Sequence, residues 1–94
     1  MLIGVPSEVK NNEHRVGLTP ASVNLLSDFG HSIMIQSNAG KEIGFTDELY
    51  VSSGARILQS AAEVYLSSEL IIKVKEPLED ELQYLNGGHT LFTY

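Results

Sequence analysis

Two basic segments are the places in this sequence where side chains could act on a small anion. Arg15 lies in a polar run that follows a short apolar segment, and Lys73 and Lys75 end a second apolar run. Because residues two apart on a strand share a face, the two lysines are predicted to point the same way. An arginine offers a two-pronged donor and a lysine a compact charge, so together they could hold a carboxylate.

The same cations have an ordinary alternative role, because most arginines and lysines are solvated surface charges. Arg15 has Glu8 and Glu13 close by in the sequence, which suits a cation in an exposed polar loop. Lys73 and Lys75 follow an apolar strand with no polar residue before them, which is an unusual place for two solvated charges. Spacing alone leaves the binding and the surface interpretations open.

Other kinds of site have little support in the sequence. The three histidines, His14, His31 and His89, lack metal-ligand spacing, and no cysteine is present to supply a thiolate. Neither Gly-x-Gly-x-x-Gly nor Gly-x4-Gly-Lys-Ser/Thr occurs, so no nucleotide-phosphate loop is recognisable. A net charge of −6 argues against a nucleic-acid partner. We therefore expect no metal, cofactor or nucleic-acid site in these residues.

Length and composition indicate one small globular domain. The chain has 94 residues, of which 43% are hydrophobic and 19% charged, a balance typical of folded proteins. No apolar run approaches the ~20 residues that cross a bilayer. The apolar start is also too short for a signal peptide and lacks a basic leader. We expect no membrane association and a cytoplasmic location.

Strands and helices alternate along the chain, which predicts an open, mainly parallel, Rossmann-like α/β sheet with helices on its faces. Strands are predicted at residues 2–5, 32–36, 55–58, 70–74 and 90–94. Ligands bind outside the carboxyl ends of such strands, and both basic segments are predicted to lie there.

Helix boundaries are indicated by capping residues. The N-terminal signals are Thr19 followed by Pro20, then Thr46, and then the Ser60–Glu63 capping box. Gly30 and Gly54 are predicted to end the first two helices. Val23, Leu26 and Phe29 mark the apolar side of the first helix, and three leucines over residues 78–85 predict a fourth helix.

Several segments together resemble a known family. The run from Ile3 to Pro20 contains Asn-Glu-x-Arg-Val-x-Leu-Thr-Pro, and residues 73–77 read Lys-Val-Lys-Glu-Pro. With residues 37–40, 44–47 and 91–94, these motifs resemble the opening of the bacterial alanine dehydrogenases, which are related to the alpha subunit of proton-translocating transhydrogenases. The resemblance covers the whole chain, and its two strongest motifs are specific when taken together.

The resemblance implies an NAD-dependent enzyme that interconverts L-alanine with pyruvate and ammonia, with Arg15 and Lys75 as ligands of the substrate carboxylate. It implies that residues 1–94 are the N-terminal part of an incomplete substrate domain, and that NAD binds to a later domain. The family's acid/base histidine would follow Tyr94, so we expect no catalytic residue here; His89 precedes the last strand and is not a substitute. The full-length enzyme is expected to form a homo-oligomer.

Three other hypotheses remain open at this point. The chain could belong to a transhydrogenase alpha subunit, to an independent module that binds a small carboxylate, or to a structural fragment without activity. Lys75 favours the dehydrogenase, because transhydrogenase-like relatives often lack a lysine at that place.

Overall fold

The computed structural model describes residues 1–8, 15–74 and 90–93. Within these ranges, five strands form one parallel sheet in the order β3-β2-β1-β4-β5. The strands are β1 (Leu2–Val5), β2 (Ser32–Gln36), β3 (Arg56–Leu58), β4 (Leu70–Lys73) and β5 (Thr90–Thr93). The helices are α1 (Pro20–Asp28), α2 (Asp47–Ser52) and α3 (Ala61–Ser67), with a 3₁₀ helix at Lys41–Ile43. The predicted open parallel α/β sheet is confirmed.

The helices cover both faces of the sheet. Ile3 and Val5 of β1 join a buried cluster with Val23 of α1 and Tyr50 of α2. Gly4, between them on the strand, faces the other way and lies against Val64 and neighbouring atoms of α3. Since alternate residues of a strand point to opposite faces, α1 and α2 cover one face and α3 covers the other.

The helix starts follow the predicted caps. Thr19 accepts a hydrogen bond from the Ser22 backbone N–H at 3.1 Å. Thr46 and Ser60 accept equivalent bonds from the backbone N–H groups of residues 49 and 63, so the three predicted N-cap residues are confirmed. Gly30 (φ +91°) and Gly54 (φ +109°) follow the ends of α1 and α2 in the left-handed conformation that glycine adopts at low cost.

Three details differ from the sequence-based expectation. Phe29 is not on the buried side of α1 but is 74% exposed, because α1 ends at Asp28 and Phe29 lies past the last helical turn. The loop after β2 contains the unpredicted 3₁₀ helix. Strands β3 and β4 are one residue shorter than predicted, at the start and the end respectively. Tyr94 and the predicted helix over residues 78–85 lie outside the described residues.

Strand β4 is buried as its apolar sequence predicted, whereas its neighbour β5 is not. Ile71 and Ile72 are buried on opposite sides of the sheet. All four residues of β5 are exposed, including Leu91 and Phe92, which pair with those two isoleucines. Apolar side chains therefore reach solvent on both faces at the β5 edge.

Candidate functional site

A pocket of about 300 Å³ lies at the carboxyl end of the sheet. Arg15 and Thr19, which line it, belong to the segment between β1 and α1. The 3₁₀ helix after β2 contributes Ile43, and Val74 comes directly after β4. All of these residues follow strand ends, so the pocket occupies the position where ligands bind in open parallel sheets.

The lining combines one charge with mostly apolar surroundings. Arg15 is the charged residue of the lining and Thr19 the polar one, and the remaining lining residues are Val16, Ile43 and Val74. A cation beside aliphatic groups suits a small organic anion that carries an apolar part, because the charge fixes its orientation and the apolar groups select its shape. Arg15 itself is exposed in this chain.

The backbone that carries Arg15 is fixed against β4. Val16 and Leu18 are buried in the core. Gly17, between them, packs so closely on the sheet that an added Cβ would lie 2.5 Å from the Ile72 carbonyl oxygen. Only glycine fits this approach, so the segment 16–18 holds Arg15 at the edge of the pocket.

Tyr50 of α2 anchors the same segment from the other side. Its ring is fully buried, its hydroxyl donates to the Leu18 carbonyl at 2.7 Å, and Phe45 packs edge-on against it. Burial raises the pKa of Tyr50 to about 12, because the low-dielectric surroundings disfavour the phenolate. Tyr50 therefore remains a neutral hydrogen-bond donor at physiological pH.

A carboxylate links the loop after β1 to the end of β4. Glu8 Oε1 lies 3.5 Å from Lys73 Nζ, and both side chains are buried, with 3% and 1% exposure respectively. The other oxygen, Glu8 Oε2, accepts a hydrogen bond from the Val74 backbone N–H at 3.0 Å. Lys73 is therefore a buried ion-pair partner of Glu8 rather than a solvated charge, and it does not line the pocket.

The segment that carries Ile43 is held by hydrogen bonds to Asp47. Ser37 Oγ donates to Asp47 Oδ2 at 2.7 Å, and the Asn38 backbone N–H donates to Asp47 Oδ1 at 2.8 Å. Asn38 adopts φ +66°, a left-handed conformation that asparagine tolerates better than most residues. Two of the quoted motifs, residues 37–40 and 44–47, thus form one closed loop beside the pocket.

Of the two predicted carboxylate ligands, the structure brings Arg15 to the pocket, whereas Lys75 lies outside the described residues. Among the histidines, His14 and His89 are likewise outside the described ranges. His31 Nδ1 accepts a hydrogen bond from the terminal amino group of Met1 at 3.2 Å, at the amino end of the sheet. It is therefore far from the carboxyl edge where the pocket lies.

Sequence reasoning missed the Glu8–Lys73 pair and the roles of Ile43 and Val74 in the pocket. The available signal for the pair was a lysine inside an otherwise apolar buried strand, because such a charge requires a partner. Its partner is 65 residues away in the chain (73 − 8), and no local pattern identifies a contact of that range. Ile43 reaches the pocket through a 3₁₀ turn that has no clear sequence signature.

The described residues do not fit a dinucleotide. Dinucleotides place their pyrophosphate on free backbone N–H groups where the first strand turns into its helix. Here α1 begins at Pro20, which has no N–H, and the Thr19 side chain already accepts from Ser22. The Glu8 carboxylate, which follows β1, presents acceptor oxygens and cannot donate hydrogen bonds to a phosphate.

Neither a metal-binding cluster nor a membrane-spanning helix occurs in the described ranges. Among residues 1–8, 15–74 and 90–93, no cluster of three or more His, Asp or Glu side chains is arranged to hold a metal ion. No helix in the same ranges has the length and apolarity needed to span a bilayer.

Residues 4–94 match the family described as alanine dehydrogenase/PNT, N-terminal domain. The whole chain is 52% identical to an alanine dehydrogenase of Methanococcus maripaludis, of which it covers 25%. A solved L-alanine dehydrogenase superposes on the entire chain with a TM-score of 0.96 and 47% identity, over 26% of that protein. A transhydrogenase structure from Sinorhizobium meliloti matches 99% of the chain with a TM-score of 0.91 and 26% identity, over 27% of its own chain. The chain thus spans about a quarter of the length of these relatives.

Proposed function

The chain belongs to the alanine dehydrogenase/PNT family, and on that premise we propose that it forms the N-terminal part of the substrate domain of an NAD-dependent L-alanine dehydrogenase. That enzyme interconverts L-alanine with pyruvate and ammonia. The observation that carries the proposal is the pocket at the carboxyl end of the sheet, which Arg15 lines together with Val16, Ile43 and Val74. A three-carbon carboxylate with a methyl group matches this combination of one cation and aliphatic side chains.

In this proposal Arg15 and Lys75 bind the substrate carboxylate. The carboxylate stays anionic through the reaction, so two cations can hold it in the alanine and in the pyruvate state. Their role is to aim the Cα of alanine, and the carbonyl carbon of pyruvate, toward the cofactor, which is catalysis by positioning. Support comes from the position of Arg15 in the pocket and from Val74, which lines it and directly precedes Lys75 in the chain.

The remaining parts of the reaction are assigned to the rest of the full-length enzyme, by which we mean a complete alanine dehydrogenase that contains these 94 residues. NAD, which accepts the hydride, binds there in this proposal, since the start of α1 does not suit a dinucleotide. The acid/base histidine belongs to the segment after Tyr94. We further propose that the full-length enzyme is a cytoplasmic homo-oligomer, and that the 94-residue chain alone has no dehydrogenase activity.

A transhydrogenase subunit is the second candidate, because the transhydrogenase from Sinorhizobium meliloti has nearly the same fold over this chain. The sequence identity favours the dehydrogenase, since the chain is 26% identical to that transhydrogenase and 52% identical to the alanine dehydrogenase of Methanococcus maripaludis. A lysine at position 75 also favours the dehydrogenase.

An activity assay on the full-length enzyme tests the proposal. We expect NADH to form from L-alanine and NAD, and to be consumed with pyruvate and ammonia. Amino acids with bulky side chains are expected to react much more slowly. Hydride exchange between nicotinamide cofactors without alanine turnover would support the transhydrogenase instead. Pyruvate binding without any turnover would indicate a carboxylate-binding module.

A further inference from the structure

We propose that Glu8 is a positioning residue that, together with Lys73, fixes the distance between the two carboxylate ligands, Arg15 and Lys75. The inference rests on the proposed function, because it concerns how the loop that carries Arg15 and the strand end that precedes Lys75 are kept in place. Glu8 and Lys73 themselves do not touch the substrate in this proposal.

The Glu8–Lys73 pair lies where the strand order of the sheet reverses direction. From β1 the chain continues to β2 on one side of the sheet, whereas β4 lies on the other side of β1 and has β5 as its outer neighbour. This reversal point is where the loops after two adjacent strands separate and leave a crevice for ligands. The separation of β1 from β4 therefore sets the width of the site.

Backbone pairing between β1 and β4 ends early. The two strands pair over only two positions, Ile3 with Leu70 and Gly4 with Ile71. In contrast, β1 pairs with β2 along its whole length, and β4 pairs with β5 up to Lys73. Beyond Gly4, the strand pairing therefore does not hold the exit of β1 against the exit of β4.

The Glu8 side chain bridges the two exits where this pairing has stopped. Its Oε2 accepts a hydrogen bond from the Val74 backbone N–H. This oxygen thereby takes the place that a strand carbonyl would have if the ladder continued. Its Oε1 faces the Lys73 ammonium at 3.5 Å, which orients the carboxylate. Val74 both lines the pocket and precedes Lys75, so this one carboxylate links the start of the Arg15 loop to the backbone beside Lys75.

Stability alone is a weak reason for such a pair. Removing two charges from water costs about as much as their attraction returns, so apolar residues of similar size often replace a buried ion pair without loss of stability. The bond to Val74 N–H, in contrast, is directional, and an apolar side chain cannot reproduce it. A positioning role and a purely structural role therefore predict different behaviour for different replacements.

Two double variants of the full-length enzyme separate these roles. Glu8→Gln with Lys73→Met removes both charges but keeps an oxygen that can accept from Val74 N–H. Glu8→Leu with Lys73→Met removes the charges and the acceptor together. Steady-state KM for pyruvate and for alanine, kcat, NADH affinity and Tm are measured for each. Glu63→Gln on the exposed surface of α3 is the control for loss of a carboxylate.

We expect the Gln/Met enzyme to keep KM for pyruvate within about threefold of the unchanged enzyme, because the bond to Val74 persists. The Leu/Met enzyme should show a KM raised by roughly tenfold to a hundredfold, the usual effect of misplacing binding groups by about an ångström. NADH affinity should be the same in both, because the cofactor binds elsewhere in the proposed enzyme.

Equal, near-normal KM values in the two double variants would overturn the proposal, even if the Leu/Met enzyme has a lower Tm, since that pattern marks a purely structural pair. Lys75→Ala is measured in the same series to separate this failure from failure of the proposed function. If Lys75→Ala raises KM while the two double variants have equal KM values, only the positioning role of the Glu8–Lys73 pair is wrong. If Lys75→Ala leaves KM unchanged, the assumed carboxylate site is wrong, and the proposal built on it is overturned as well.

Discussion

Arg15 belongs to the family motif in the sequence and also lines the pocket in the structure. Arg15 lines a pocket of about 300 Å³ at the carboxyl edge of the sheet. The neighbouring residues Val16 and Leu18 are buried, so the backbone that carries it has little freedom. A side chain presented from a fixed backbone loses less entropy on binding than one on a mobile loop, which favours its use as a ligand anchor.

We predict that Arg15→Lys in the full-length enzyme lowers kcat/KM for alanine by about tenfold or more, although the charge is retained. A lysine ammonium is a single point of attachment and cannot reproduce the two parallel hydrogen bonds of a guanidinium to a carboxylate. Arg56→Lys, at an exposed position of the edge strand β3, is the matched control and should leave the kinetics unchanged. Equal effects at the two positions would argue that Arg15 is an ordinary surface cation.

At the residue scale, the sequence indicated which residue types mattered but not which of them meet. The Arg15 motif was recognisable because its residues are contiguous. The Glu8–Lys73 contact and the Tyr50–Leu18 bond join residues that are 65 and 32 positions apart, respectively (73 − 8 and 50 − 18). Contacts of this range are set by strand order and helix packing, so they become visible only once the fold is known.

The secondary-structure elements were predictable where local chemistry decides them. Side-chain caps and left-handed glycines act within a few residues, and the predicted helix starts and the glycines after α1 and α2 were confirmed. Phe29 was assigned to the buried side of α1 because its spacing continues that of Val23 and Leu26. Spacing does not reveal that the helix ends one residue earlier, which leaves Phe29 74% exposed.

The Tyr50 hydroxyl joins α2 to the segment before α1 by its hydrogen bond to the Leu18 carbonyl. Its titration makes the stability of the fold depend on pH in the alkaline range. Burial raises its pKa from 10.0 to about 12. Between these values the unfolded chain releases the phenolic proton while the folded chain retains it. The contribution of Tyr50 to stability is therefore complete below pH 10 and is lost as the pH rises toward 12.

We accordingly predict that the free energy of unfolding of the 94-residue chain falls across this alkaline range, and that Tyr50→Phe removes part of the fall. At neutral pH the same substitution should cost about 1–3 kcal/mol, because the buried Leu18 carbonyl loses its donor. Urea unfolding followed by circular dichroism, at neutral pH and through the alkaline range, provides the measurement. Parallel pH dependences for the two proteins would contradict the role given to Tyr50.

At the scale of the whole molecule, the chain folds as an α/β sheet with apolar surface still exposed. Leu91 and Phe92 on β5 are 39% and 53% exposed. Leu25 on α1, Phe29 just beyond its end, and Leu66 on α3 are exposed as well. A chain of this size buries only a modest core, and exposed apolar side chains on an edge strand favour pairing with other molecules.

We therefore predict that the isolated 94-residue chain is marginally stable, self-associated, or both. Sedimentation velocity over a range of concentrations, combined with thermal unfolding, tests this expectation. Replacing Leu91 and Phe92 by threonine, which suits a strand but is more polar, should reduce any self-association. A monomer at all concentrations with a sharp unfolding transition at high temperature would contradict both the predicted self-association and the predicted marginal stability.

The central claim is that Arg15 and Lys75 hold the carboxylate of alanine, and steady-state kinetics of Lys75→Ala in the full-length enzyme tests it most directly. Losing one charged partner of a desolvated carboxylate costs about 2–5 kcal/mol. We predict that kcat/KM for alanine falls by roughly two orders of magnitude or more, at about 1.4 kcal/mol per tenfold, while NADH affinity and the kinetics of an Arg56→Ala control are unchanged. Near-normal alanine kinetics in Lys75→Ala would remove Lys75 from the site and contradict the account.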